Sequence, residues 1–192
     1  MEIVKDLMVP LEECATVGQE ITIGQAILAL KKSRDNQVAS STSSRFLCTG
    51  YPAMLVLDDE SWVVGKLGQT DIVLNLDPNY QGHGGFQAIA HTATAGLSPA
   101  LLKSLVQWDS VWNESFEHRC RKVLNLKVKD WMCGAASEER VLESDPLQVA
   151  IHKLAVGYHQ SLLVTSHDEV TGILRLSDIF EQIARETGNP IK

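Results

Sequence analysis

The strongest constraint on this chain is that part of it is written twice. Gly65-Lys66-Leu67-Gly68-Gln69-Thr70-Asp71-Ile72-Val73 shares its frame with Gly172-Ile173-Leu174-Arg175-Leu176-Ser177-Asp178-Ile179-Phe180: a glycine, a short apolar stretch, then hydroxyl, Asp and an apolar residue. Each copy follows one apolar run and leads into another, which predicts a strand ending where a helix begins. Thr70-Asp71 and Ser177-Asp178 fall at that junction. Their oxygens suit the free N–H groups of a first helical turn, and a carboxylate there also meets the positive end of the helix dipole. The same carboxylate is equally suited to the paired hydroxyls of a sugar. Both roles stay open.

The repeat reaches beyond the junction. Val4-Lys5-Asp6-Leu7-Met8 returns as Val128-Lys129-Asp130-Trp131-Met132, a shift of 124 residues, and the same shift sets Thr16-Val17 against Arg140-Val141. Helices follow, with Ile23, Ala26, Ile27 and Leu30 matched by Leu147, Ala150, Ile151 and Leu154. That i, i+3, i+4, i+7 spacing predicts one buried helical face. Thr22 and Gln25 have capping-box spacing, and Asp145-Pro146 reads as a capping acid before a proline at the first helical position.

Ala53-Met54-Leu55-Val56-Leu57 then pairs with Ser161-Leu162-Leu163-Val164-Thr165, where the shift has fallen to 108. The first half therefore holds 16 extra residues, placed around 34–50, and Ser40-Ser41-Thr42-Ser43-Ser44 predicts a polar loop there. Turns at Asp58-Asp59-Glu60-Ser61 and Ser166-His167-Asp168-Glu169 lead into the repeated junction. Each half thus reads β-α-β-β-α. The expected fold class is α+β, with tandem β-α-β-β-α repeats packed through their sheets and a helical insertion between them. Neither half buries a sheet face alone, so the two are expected to share a core. The boundaries read 1–76 for the first repeat, 77–126 for the helical inter-repeat segment and 127–192 for the second repeat. Within that segment Leu101, Leu105, Trp108, Trp112 and Phe116 lie on one helical stripe, either packed on the repeats or used as a subunit interface.

Composition narrows the function classes. At 44% hydrophobic and 21% charged residues the chain is of ordinary globular type. A net charge of −7 argues against a nucleic-acid surface or an anionic membrane surface. No apolar run approaches a membrane span and the first residues lack a signal-peptide profile, so a cytoplasmic location is expected. Cys14, Cys48, Cys120 and Cys133 are widely spaced, without a C-x-x-C pair, and are expected to be reduced thiols. His118 with Cys120, and His152 with His159, fall short of a metal-ligand set, so no metal is expected. No G-x-S-x-G elbow or H-E-x-x-H helix is present, so no catalytic residue is assigned and the chain is not expected to be an enzyme. Gly82-His83-Gly84-Gly85 lacks the Lys-Ser/Thr of a phosphate-cradling P-loop.

Taken in this order and twice over, Val4 to Met8, Thr16-Val17, Ala26, Leu55-Val56 and Gly65 to Asp71, with their counterparts ending at Gly172 to Asp178, resemble the CBS domain pair, or Bateman module. The resemblance covers about three quarters of the chain. It implies two repeats packed through their sheets with up to two clefts that accept adenosine-containing ligands such as AMP, ADP, ATP or S-adenosylmethionine, and no required cofactor. It also implies a homodimer formed through the helices. Carried across, Asp71 and Asp178 match the carboxylate that holds the ribose hydroxyls.

The hydroxyl that family members use for phosphate, three positions earlier, is replaced by Gly68 and by Arg175. Arg175 is expected either to pair with a phosphate or to fill the cleft, and it makes the second half the expected anion-binding half, while Gly68 leaves the first with only Asp71 to argue for it. Arg140, standing where the first half has Thr16, and Lys66 are further candidates for the cleft lining, and Thr70 and Ser177 are the junction hydroxyls. Two functions compete: a nucleotide-sensing regulatory module acting on an unidentified protein partner, and a ligand-free dimerisation or interaction scaffold. A metal- or redox-responsive protein is a distant third.

Overall fold

The computed structural model describes residues 2–40, 53–74, 76, 115–134, 139–157 and 159–188. The chain opens with one helical turn, α1 (Val4–Leu7), and a two-residue strand, β1 (Val9–Pro10). The first repeat follows as β2 (Thr16–Gly18), α2 (Ile23–Ser40), β3 (Met54–Leu57), β4 (Val63–Leu67) and α3 (Gln69–Leu74). After α4 (Phe116–Leu124) and β5 (Cys133–Gly134) comes the second repeat. It comprises β6 (Arg140–Leu142), α5 (Leu147–Val156), β7 (Ser161–Ser166), β8 (Glu169–Arg175) and α6 (Leu176–Gly188). Both halves have the β-α-β-β-α order, and the class is α+β.

The strands form two four-stranded sheets, β2-β3-β4-β5 and β1-β8-β7-β6. Their edge strands are crossed. β1 precedes the first repeat yet pairs antiparallel with β8 of the second, Val9 opposite Ile173, while β5 precedes the second repeat and pairs with β4 of the first, Lys66 opposite Cys133. The motif ahead of each strand goes with it. The Val4 N–H donates to the Asp145 carbonyl at 3.0 Å, and the Val128 N–H donates to the Ile21 carbonyl at 2.9 Å. Val4 and Val128 are both fully buried, each against the opposite repeat. Burying a side chain of that size contributes about 1.5 to 3 kcal/mol. Lys5 to Glu143 (3.2 Å) and Lys129 to Glu20 (2.9 Å) add matching ion pairs at the surface.

Each sheet is covered on both faces, which is why β3 and β7 read as unbroken apolar runs. Met54 and Val56 face the helices of the first repeat beside Ile23, Ala26 and Leu30; Leu162 and Val164 do the same beside Leu147, Ala150 and Leu154. Between them, Leu55 and Leu163 point the other way and meet Val9 and Ile173 in the core that the sheets share. On α5 the buried face is narrower than the spacing implied, since Ile151 lies at the surface, whereas Ile27 of α2 packs against its core.

Local signals were mostly obeyed. The Thr22 N–H donates to Gln25 Oε1 at 2.9 Å and the Gln25 N–H to Thr22 Oγ1 at 3.2 Å, a reciprocal capping box. At α5 the expectation needs correction: Pro146 is itself the N-cap, and the Asp145 carboxylate turns back to accept from the Leu142 N–H at 3.1 Å. The polar loop expected from about residue 34 begins later, because α2 runs through Ser40. Lys31 and Lys32, good helix formers, are exposed on it just past the buried Leu30. The rest of that loop, the Gly82–Gly85 loop, and Leu101, Leu105, Trp108 and Trp112 lie outside the described residues. Phe116 is exposed at the start of α4, whose Val123 joins the core of the first repeat.

Candidate ligand-binding site

The repeated junction forms the same local structure in both halves. In each, the last strand ends, one residue caps the helix, and the aspartate three residues on folds its side chain back to that cap. The Gly68 N–H donates to Asp71 Oδ2 at 2.7 Å, and the Arg175 N–H donates to Asp178 Oδ2 at 3.0 Å. This is one half of a capping box, with a carboxylate at the positive end of the helix. The capping acceptors are therefore Asp71 and Asp178, while Thr70 and Ser177 occupy the second helical position beside them, both partly buried.

Beyond the cap the two junctions diverge. Arg175 turns its guanidinium onto Asp178: Nε lies 2.9 Å from Oδ2 and 3.1 Å from Oδ1, and Nη2 lies 2.5 Å from Oδ1. Both side chains are largely covered, at 12% and 9% exposure. A planar fork against a carboxylate is a strong arrangement, and it uses the oxygens that two sugar hydroxyls would need. In the first half Gly68 leaves that volume to the backbone. A Cβ built there would stand 3.3 Å from Asp71 Oδ2 and 3.9 Å from the Ala53 Cβ, so a side chain would crowd the carboxylate.

A cleft of about 280 Å³ opens beside the second junction, between α1, β1 and α6. Glu2, Asp6, Glu13 and Glu181 line it together with Asp178, against Lys5, Arg175 and Arg185. Acids outnumber bases, so the lining does not favour an anion. Cys14 lies close by, donating through Sγ to the Pro10 carbonyl at 3.2 Å. Burial pushes this thiol up to about 11, only partly countered by Arg175.

The remaining candidates go to different places. Thr16 is exposed on β2. Arg140 is partly buried on β6; its carbonyl accepts from Lys153 Nζ at 2.6 Å and its Nε is buried without a hydrogen-bond partner. Lys66 is almost fully buried, with Nζ 3.1 Å from Glu139 Oε2, and His159 Nδ1 stands 3.3 Å from Glu139 Oε1. Burial alone raises the Glu139 carboxyl, but the His159 hydrogen bond and the Lys66 charge outweigh it and hold the group below the usual glutamate range. Sequence reasoning passed over Glu139. Its signal was the unpaired charge of Lys66 at the position where the second repeat has Ile173. Among the described residues no group of three or more His, Cys, Asp or Glu could hold a metal, and no helix is long and apolar enough to cross a membrane.

Neither a family model nor a curated protein sequence matches the chain. Solved structures do match. A CBS domain-containing protein of unknown function from Bacillus anthracis str. Ames Ancestor is 19% identical with a TM-score of 0.57, over 97% of this chain and 95% of that one. The CBS-pair protein CBSX2 from Arabidopsis thaliana is 17% identical with a TM-score of 0.58, over 97% of each chain. A structure of CBSX2 in complex with AMP is 16% identical with a TM-score of 0.52, over 97% of this chain and 99% of that one. At these identities the likeness is one of architecture, and with two crossed β-α-β-β-α repeats sharing a core between their sheets, the chain has the fold of a CBS domain pair.

Proposed function

We propose that the chain is a non-catalytic, ligand-sensing regulatory module that takes an adenosine-containing nucleotide in a cleft between its repeats. The observation that carries this reading is the repeated junction: Asp71 and Asp178 stand at equivalent strand-to-helix turns, each fixed by the backbone three residues back. A carboxylate held that rigidly is pre-set to accept two vicinal hydroxyls. The fold is shared with CBSX2, of which a structure in complex with AMP is known. The first half is the ligand-binding half in this reading, because at the second Arg175 already engages Asp178. Binding biases how the two repeats pack, or how copies assemble, by differential affinity for the two arrangements. The reading includes a homodimer in the cytoplasm and an unidentified protein partner.

Isothermal titration with AMP, ADP, ATP and S-adenosylmethionine tests it. Binding of any one, weakened in Asp71→Ala, supports the module. No heat from all four at millimolar concentration leaves the ligand-free scaffold ahead. That second reading has its own support in the Arg175–Asp178 pair and in Leu176, Phe180 and Ile183, which are exposed along α6.

A further inference from the structure

The two repeats match position by position across their shared core, except at one place. Leu55 matches Leu163 at a shift of 108 residues, and the β4 and β8 positions match at 107, so Lys66 stands where the second repeat has Ile173. Ile173 meets Val9 and the two leucines in the apolar core between the sheets. Lys66 brings an ammonium group to the matching place, with 6% of its surface exposed. The charge is met from the other sheet. Glu139 lies at the entry to β6 and His159 at the entry to β7, and both belong to the second repeat.

We propose that Lys66, Glu139 and His159 form an ionic latch that joins the two sheets on one side of their shared core and opens when Glu139 loses its charge. The other side is closed by Val9 and Ile173, with Cys14 packed against them. The latch lies beside the first junction, since Lys66 is two residues before Gly68, which follows the end of β4.

Three physical arguments support it. A buried ammonium is tolerated only when paired, and removing one partner of a buried pair leaves the other charge stranded. Ionised Glu139 can only accept, so His159 Nδ1 carries the proton that it shares with Oε1. The His159 ring is also held in place from behind: a Cβ on Gly157 would lie 2.1 Å from Nε2. Lys66 from β4 and His159 after α5 both face Glu139. Arg140 follows it on β6, and Lys153 of α5 is turned to the Arg140 carbonyl; Glu138 lies outside the described residues.

Because the Glu139 carboxyl is held below its ordinary value of 4.5, its contribution is complete above that value and is lost as pH falls through the lower, folded-state value. The latch is therefore closed at neutral pH and released in acid.

Lys66→Met, Glu139→Gln and the double variant test the inference. Urea unfolding at pH 7 should show each single variant shifted toward the unfolded state by about tenfold or more, with most of the loss recovered in the double variant, as coupled partners require. A single variant that fails to fold while the double variant folds supports the latch equally. Additive losses, or a double variant that does not fold, overturn it. Between pH 7 and an acid pH below that folded-state value, wild type should lose more stability than Glu139→Gln; equal losses overturn acid release. Hydrogen exchange at pH 7 in Glu139→Gln should quicken in β4 as well as β6 and β7. Faster exchange confined to the second repeat overturns the inter-sheet role.

Discussion

Arg175 and Asp178 form a forked ion pair across the last turn of β8 into α6, Nε to Oδ2 2.9 Å and Nη2 to Oδ1 2.5 Å. The second repeat thereby satisfies its own junction carboxylate from within. The first repeat has Gly68 in the same place, and there the backbone N–H donates to Asp71 Oδ2 at 2.7 Å. Two copies of one motif have become chemically unequal through a single position.

Replacing Arg175 with Ser should expose that inequality. With the fork gone, Asp178 can accept hydroxyls, and titration with AMP should show a second equivalent per chain. The variant should also lose about 3 kcal/mol, since a largely buried carboxylate is left without its cation. Unchanged stoichiometry and affinity would show that Arg175 does not control the second half.

At the first junction, Asp71→Ala and Asp71→Asn separate two roles. Alanine removes the acceptor for the Gly68 N–H and should cost about 0.5 to 2 kcal/mol of stability along with ligand affinity. Asparagine keeps an acceptor but loses the charge, so stability should largely survive while nucleotide binding weakens. Equal affinity in wild type and both variants would remove Asp71 from the site.

Gly172 lies close against the backbone of β1. A Cβ there would lie 2.3 Å from the Val9 carbonyl oxygen. Gly172→Ala should therefore push β1 off β8 and destabilise the protein by roughly 1 to 3 kcal/mol, with a fall of about 2 to 4 °C in Tm per kcal/mol for a chain of this length. A thermal melt that matches wild type would contradict the pairing of Val9 with Ile173.

Cys14 should be chemically quiet. Burial raises its thiol to about 11, so at pH 8 almost none is thiolate. Mass spectrometry after brief iodoacetamide treatment should find Cys14 unmodified in the folded protein and modified once urea is added. Rapid labelling of the native chain would mean that this edge of the cleft opens.

Assembly can be probed at α6. Phe180 is 67% exposed and shares its side of the helix with Leu176 and Ile183. If the homodimer uses this face, Phe180→Ser should shift sedimentation toward monomer at low concentration. An unshifted profile returns the face to solvent.

Much of this architecture could be read directly from the residues. Matched apolar spacing located α2 and α5, and the capping box at Thr22 and Gln25 fixed where α2 begins. The runs Met54 to Leu57 and Leu162 to Thr165 marked strands. What could not be read depends on partners distant in sequence. Glu139 gains its meaning from Lys66, 73 residues earlier, and nothing local marks it as buried. The fate of Arg175 was a choice between a ligand and its own neighbour, and side-chain direction decides that rather than composition. The crossing of β1 and β5 escaped for the same reason, because a two-residue strand carries almost no periodic signal.

That crossing governs how the chain can be assembled. Val9 waits for Ile173, 164 residues further along, and β4 gains its outer neighbour only when residues 133–134 have been made. Contacts so distant in sequence carry a loop-closure cost before they contribute, and they slow folding. Neither half can be cut away and keep its edge strand: residues 1–76 alone lack β5, and residues 127–192 alone lack β1. Two separate halves mixed in solution would have to trade those strands to rebuild the sheets, and two whole chains can make the same trade with each other. The geometry that interlocks one molecule is therefore also a route to strand-swapped pairs.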